Sequence, residues 1–540
     1  MAYKKLCNIG TQLPFEAKSQ EGKEGGRSND SCSCRLENQA MMKILNRPIS
    51  RKKLALVAGP LAFLIILLTG PYQGMSQEAL AVLASTAWIA IWWISEAIPI
   101  PVTSLLPLVL FPLTGGLDLA STGAAFGNKI IFLYLGGFLL AIAIERWNLH
   151  RRIALYVITL FGTAPKKMIL GFMVATGFLS MWISNTATAV MMLPIGLALV
   201  QQIGCTDSGP DSKRATDNFG KVLMLGIAYS ASIGGMGTLI GTPPNLVLAG
   251  VVSEIYGLEI GFTDWMLFAI PISVVLLLLC WYYLVNHSFE LGQVKFEGGG
   301  QGIKGQLAKL GRMGHAERTV LVVFVLTALA WISRSFLLNR FMPALDDTII
   351  AIVAAIMLFV LPSGNREKPT ILDWGAAKKV PWGIMLLFGG GLAIAAAFES
   401  SGLATWIAGK LSVFEGVSLA LLLLALIALV NFLTEITSNT ATTSMILPIL
   451  APIALTMGVH PFGLMFGAAM AASCAFMLPV ATPPNAVVFG SGYLRMSDMI
   501  KTGVFLNLLS IVLLFLFVYF ALPWIWGIDL LEYPMALKAK

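Results

Sequence analysis

Charge is scarce in this sequence. Of 540 residues, 12% are Asp, Glu, Lys or Arg and 57% are hydrophobic, whereas a soluble domain carries about 25% charged residues. The scarcity excludes an ordinary soluble globule. The repeated runs of about 20 apolar residues instead match the ~30 Å hydrocarbon core of a bilayer. Cysteine is sparse and unpatterned. Cys7, Cys32, Cys34, Cys205, Cys280 and Cys474 form no framework, and Cys32 and Cys34 read as a stray pair in a polar stretch. The four histidines, His150, His287, His315 and His460, are scattered, and neither HExxH nor CxxC occurs. "GGMGTLIG" at 234–241 lacks the GK[ST] ending of a phosphate loop. No catalytic constellation remains, so an enzyme is not expected and no organic cofactor is implied.

The charges that do occur are ordered along the chain. The net charge of +8 would suit nucleic acid, but its placement points to a membrane. Residues 1–50 are polar and read as a disordered cytoplasmic tail. No apolar core precedes Leu54, so no secretory signal is read, and Met41 and Met42 are alternative starts. Lys43, Arg47, Arg51, Lys52 and Lys53 stand just before the first apolar run. Spans are expected near 54–70, 80–98, 99–115, 130–148, 219–251, 266–286, 319–339, 346–362, 381–400, 461–489 and 502–526. This order puts Arg151, Arg152, Lys166, Lys167, Lys304, Arg312, Arg366 and Lys379 inside. It puts Glu78, Asp118, Glu254, Asp264, Asp346 and Asp347 outside. That asymmetry follows the positive-inside rule, with Lys129, Arg340 and the terminal "LKAK" as exceptions. Eleven spans place the short C-terminal tail, 531–540, outside.

The chain also repeats itself. "ISNTATAVMMLPI" (183–195) returns as "TSNTATTSMILPI" (437–449), and "LYLGGFLLAIAIE" (133–145) as "LFGGGLAIAAAFE" (387–399), both 254 residues later. "GTPPNLVLAG" (241–250) returns as "ATPPNAVVFG" (481–490) after 240. Three matched blocks in one order indicate duplication. The expected layout is a first span and loop over 51–79, repeat 1 over 80–290, a cytoplasmic linker over 291–318 and repeat 2 over 319–530. About five spans per half, an odd number, make the repeats inverted, the architecture of secondary transporters with a midplane site.

The segment 168–200 would make about 50 Å of helix, too long for one span and short for two. A re-entrant hairpin with Ser184-Asn185-Thr186 at its tip fits. Symmetry favours a second hairpin over 417–458, where two full spans would also fit. Broken helices survive in a bilayer only where protein or a watery cavity covers them. Their N–H ends suit an anion, and their carbonyls, with Ser, Thr and Asn oxygens, suit a hard cation such as Na⁺. Pro243-Pro244 and Pro483-Pro484 are expected to unwind their helices mid-membrane. Glu96, Glu145, Glu399 and Glu435 are the intramembrane carboxylate candidates, Glu435 as a proton or cation site or as a hydrogen-bonded structural group. No Lys or Arg accompanies either Asn motif, so an anionic substrate would need bound cations and helix dipoles.

"SNTAT" in both halves, "GTPPN", "ATPPN" and "WWISEAIPIPVTSLLPL" (92–108) resemble the divalent anion/sodium symporters, carriers of di- and tricarboxylates, over residues 54–530. The likeness is strongest to bacterial sodium-dependent dicarboxylate symporters. It implies an all-α polytopic homodimer in the plasma membrane, with a scaffold and an elevator-like transport domain holding both hairpins. By motif, Asn185, Thr186, Asn439 and Thr440 would hold the substrate carboxylates, with Pro483 lining the pocket. One Na⁺ site would use Ser180, Ser184, Asn185 and a carbonyl near Gly235. The other would use Thr434, Thr437, Asn439 and a carbonyl near Ala481. The family often has a small residue at position 437 acting through its backbone. The implied activity is Na⁺-coupled symport of C4-dicarboxylates such as succinate, malate or fumarate. The alternatives are another divalent anion (citrate, sulfate) or a Na⁺-independent exchanger.

Overall fold

The computed structural model describes residues 51–162, 164–204, 210–291, 299–410 and 416–537. The tail 1–50, with its cysteine pair and alternative starts, lies outside the described residues, as do Cys205 and residues 538–540. Among the described residues every regular element is a helix, apart from one isolated antiparallel bridge between Pro362 and Thr370.

Eight of the described helices are long and apolar enough to cross a membrane. The first, Arg51–Thr69, is apolar on most sides yet hardly buried, with Leu54, Leu61, Leu64 and Leu68 exposed. A helix this apolar and this bare requires lipid around it. Exposed Leu113, Leu267, Val360, Phe520 and Trp524 extend that apolar surface around residues 51–537. The chain is therefore an all-α polytopic membrane protein.

Several expected spans are not continuous helices. The region 99–115 folds as Ile100–Thr103 and Pro107–Thr114, because its prolines restart the helix. The region 219–251 lies on Pro210–Gly235 and Pro243–Tyr256, separated by irregular backbone. The region 461–489 lies on Pro461–Ala471 and Pro483–Phe489. The proline pairs do not kink a helix midway. They occupy the first helical positions after each break, where their missing N–H is no loss. Helix also forms in expected loops, over Leu149–Leu160 and Gly299–Lys309.

The first hairpin segment contains Pro165–Ser180 and Asn185–Gly204, and the second Leu419–Leu433 and Asn439–Met457. Pro165–Ser180 packs against Pro210–Gly235 so closely that a Cβ on Gly234 would overlap the backbone of Gly177. Polar clasps fix the remaining geometry. Arg152 grips Glu317 bidentately (2.5 and 3.0 Å) and also donates to the carbonyls of Leu310 and Gly311. Asp347 accepts from the Phe262 N–H at 2.8 Å and pairs with Arg334 at 2.7 Å, tying the starts of two helices together.

Candidate functional site: two helix breaks facing one cavity

Each hairpin tip begins with a serine that caps the next helix. Ser184 Oγ accepts from the Ala187 N–H and Ser438 Oγ from the Ala441 N–H. This fits the capping preference of Ser. Behind the tips the two halves are built alike. Ser180 Oγ lies 2.6 Å from the Asn185 amide oxygen position and 2.7 Å from the Ala231 carbonyl. Thr434 Oγ1 lies 2.6 Å from Asn439 Oδ1 and 3.0 Å from the Ala472 carbonyl. A hydroxyl has one proton to give. At the first tip the conflict resolves when the Asn185 amide is turned: its nitrogen then donates to Ser180, Ala231 and Gly241. Gly235 is a glycine for a steric reason, since a Cβ there would sit 2.5 Å from the Asn185 amide.

The irregular segments are held by asparagines. Asn245 Nδ2 faces the carbonyls of Gly235 (3.2 Å), Met236 (3.3 Å) and Thr238 (2.7 Å). Asn485 Nδ2 donates to Ala475 (3.2 Å) and Leu478 (3.0 Å), the positions 240 residues on from Gly235 and Thr238. Unwound backbone in a membrane interior needs such partners. Sequence reasoning assigned no role to Asn245 and Asn485. Their recurrence in "TPPN" was the available signal, overshadowed by the prolines.

Both tips and both proline segments line one cavity of about 990 Å³. Asn185, Thr186, Asn439, Thr440 and Pro483 all reach it, as do Ser184, Thr437 and Ala481. Ser180 and Thr434 are buried behind the tips. Thr437 Oγ1 is engaged by the Leu433 carbonyl and Thr442. The N-termini of Asn185–Gly204, Asn439–Met457 and Pro243–Tyr256 open on the cavity, each presenting the positive end of its dipole. Lys379 is the one Lys or Arg among the described lining residues, accompanied by Glu96 and Glu145. Glu399, the repeat counterpart of Glu145, does not line it. Glu435 is buried away from the lining. Among the described residues no group of His, Cys, Asp and Glu could hold a metal ion. The oxygens at the tips are hydroxyl, amide and carbonyl, the donor set of a hard monovalent cation rather than of zinc.

Comparison with known proteins identifies the family. The family described as the sodium:sulfate symporter transmembrane region matches residues 50–528. A protein of Staphylococcus saprophyticus, named sodium-dependent dicarboxylate transporter SdcS, is 48% identical over 486 residues, covering 89% of this chain and 93% of its own. The protein of the same name from Staphylococcus aureus strain USA300 is 48% identical, covering 91% of this chain and 95% of its own. Among solved structures, the Alcanivorax borkumensis YdaH transporter superposes with a TM-score of 0.52 at 15% identity, covering 82% of this chain and 98% of that one. This last likeness concerns the fold alone.

Proposed function

The chain belongs to the family of the sodium:sulfate symporter transmembrane region, and from that premise we propose that it is a Na⁺-coupled symporter of C4-dicarboxylates in a bacterial plasma membrane. The observation that carries the reading is the convergence of three helix N-termini and two Ser-Asn-Thr tips on one cavity. Helix ends and amide and hydroxyl groups can hold two carboxylates without a dedicated arginine at either tip. The Ser180–Asn185–Gly235 and Thr434–Asn439–Ala481 clusters supply neutral oxygens for Na⁺, whose charge offsets that of the dianion. Binding of cation and anion is then mutually required, which is the basis of coupling. The naming of the 48%-identical relatives as sodium-dependent dicarboxylate transporters supports the substrate class.

Substrate recognition falls to Asn185, Thr186, Asn439 and Thr440, with Pro483 shaping the wall. The cavity reaches Glu145 and Lys379. The positive-inside asymmetry assigns Lys379 to the cytoplasmic face, so this state faces inward. The two hairpins move together as an elevator against a scaffold that forms a homodimer.

The decisive measurement is uptake of labelled succinate into proteoliposomes with and without an inward Na⁺ gradient. Concentrative, Na⁺-dependent uptake, competed by malate and fumarate, is expected. Uptake indifferent to Na⁺ would overturn the symport reading. Competition by sulfate or citrate alone would overturn the C4 assignment, and a requirement for internal dicarboxylate would indicate exchange.

A further inference from the structure

The two halves match closely at their tips but differ in one charge. Counting 254 back from Glu435 gives Met181. In the first half the tie between tip and irregular segment is neutral: Thr238 Oγ1 donates to the Met181 carbonyl. In the second half the residue 240 beyond Thr238 is Leu478, which has no hydroxyl, and the tie is rebuilt. Glu435 Oε1 accepts from the N–H groups of Phe476 (2.8 Å) and Met477 (2.9 Å), and Oε2 accepts from that of Leu478 (3.0 Å). Asn507 Nδ2 adds a fourth donor at 2.8 Å. In both halves the acceptor is on the tip and the irregular segment donates to it, with Asn507 of the helix Met496–Leu516 adding to the second. Only in the second does a formal negative charge do the accepting.

Glu435 is 3% exposed, and no Lys or Arg pairs with it among the described residues. Three consecutive backbone N–H groups around one anion form a nest. That nest satisfies hydrogen bonding, but an unpaired buried charge still lowers the local potential. It sits next to Thr434, whose hydroxyl joins Asn439. Both its oxygens face backbone donors, and it does not line the cavity.

We propose that Glu435 makes the two symmetry-related cation sites unequal, its charge strengthening Na⁺ binding at the Thr434–Asn439 tip while its nest holds residues 476–478 in place. Glu435 is thus a positioning and tuning residue. The inference rests on the Na⁺-symport reading above. It assigns the Thr434–Asn439 site the higher affinity, and the neutral Ser180–Asn185 site the lower one.

The test is a Na⁺ titration of succinate uptake at saturating succinate, on the full chain in proteoliposomes. Glu435→Gln keeps the side-chain length and removes the charge. It is expected to raise the half-saturating Na⁺ concentration about tenfold, the size of effect a nearby unit charge produces in a protein interior, with maximal rate largely recovered at high Na⁺. Thr238→Val removes the neutral tie of the first half and is expected to lower the maximal rate without moving Na⁺ half-saturation. Glu435→Asp keeps the charge and is expected to stay within about twofold of wild type. Unchanged half-saturation in Glu435→Gln overturns the proposal, as does an equal shift in Thr238→Val or a tenfold shift in Glu435→Asp. If wild type shows no Na⁺ dependence at all, the symport reading itself has failed. A Na⁺-dependent wild type with an unresponsive Glu435→Gln variant sinks only the present inference.

Discussion

At the scale of single residues, asparagine carries most of the design. Asn185 and Asn439 stand at the tips, and Asn245 and Asn485 hold the irregular segments from behind. Asn185→Ala removes both the cavity-facing amide and its ties to Ser180, Ala231 and Gly241. Uptake is expected to vanish while the protein still inserts and elutes as a single species; retained uptake would contradict the site. Asn485→Ala leaves the Ala475 and Leu478 carbonyls without their amide partner. Unpaired buried polar groups cost about 1–3 kcal/mol each. A lower thermal midpoint in detergent and weaker stabilisation by added Na⁺ are therefore expected, and an unchanged midpoint would show that these ties are dispensable. The residue-level reading from sequence reached the tip asparagines because polar residues stand out in an apolar run. It left the role of Glu435 open because all four donors lie 41 to 72 residues away in the chain. Local spacing carries no trace of such partners.

At the scale of elements, breaks in helices matter more than the helices themselves. Gly and Pro marked the broken regions in the sequence, but not where each break falls. The proline pairs restart helices after the irregular segments, and steric contact between helices explains glycines that periodicity could not. Gly234→Ala is expected to destabilise by about 1–3 kcal/mol through overpacking against Gly177, seen as a lower thermal midpoint. A neutral result would mean that the helix pair slides freely. A second element-level test concerns His460, in the turn before Pro461–Ala471. Its Nδ1 accepts from the Phe462 N–H at 3.2 Å, which only the neutral ring can do. Burial pushes its pKa from 6.5 down to about 4. A group depressed on folding contributes fully above its unfolded value. Its stabilisation is present above pH 6.5 and is lost as pH falls towards 4. His460→Asn should remove that part of the acid sensitivity. Identical pH–stability curves for wild type and variant would refute it.

At the scale of the whole chain, the duplication was legible because it is written in ordered blocks. A shared midplane site was expected from the paired motifs, but the cavity's other walls, Glu96, Tyr134 and Lys379 among them, were not legible, because they come from segments far apart in the chain. The elevator reading makes a geometric demand on contacts between the second hairpin and the helix Trp382–Ser400, which we place in the scaffold. A Cβ on Gly391 would lie 3.0 Å from that of Ser444, on the hairpin arm Asn439–Met457. Disulfides need a Cβ separation of about 3.5–4.5 Å, so a Gly391→Cys/Ser444→Cys pair requires only a small parting of the helices. Cys280 and Cys474 are buried. Replacing Cys7, Cys32, Cys34 and Cys205 by Ser leaves the engineered pair as the cysteines that the close helix contact places to bond to each other. If the hairpin slides past this helix in every cycle, oxidation should abolish Na⁺-driven succinate uptake and reduction should restore it. Neither single variant should respond to oxidant. Full uptake with the bond demonstrably formed would mean that hairpin and helix travel together, and the moving boundary would have to lie elsewhere in the molecule.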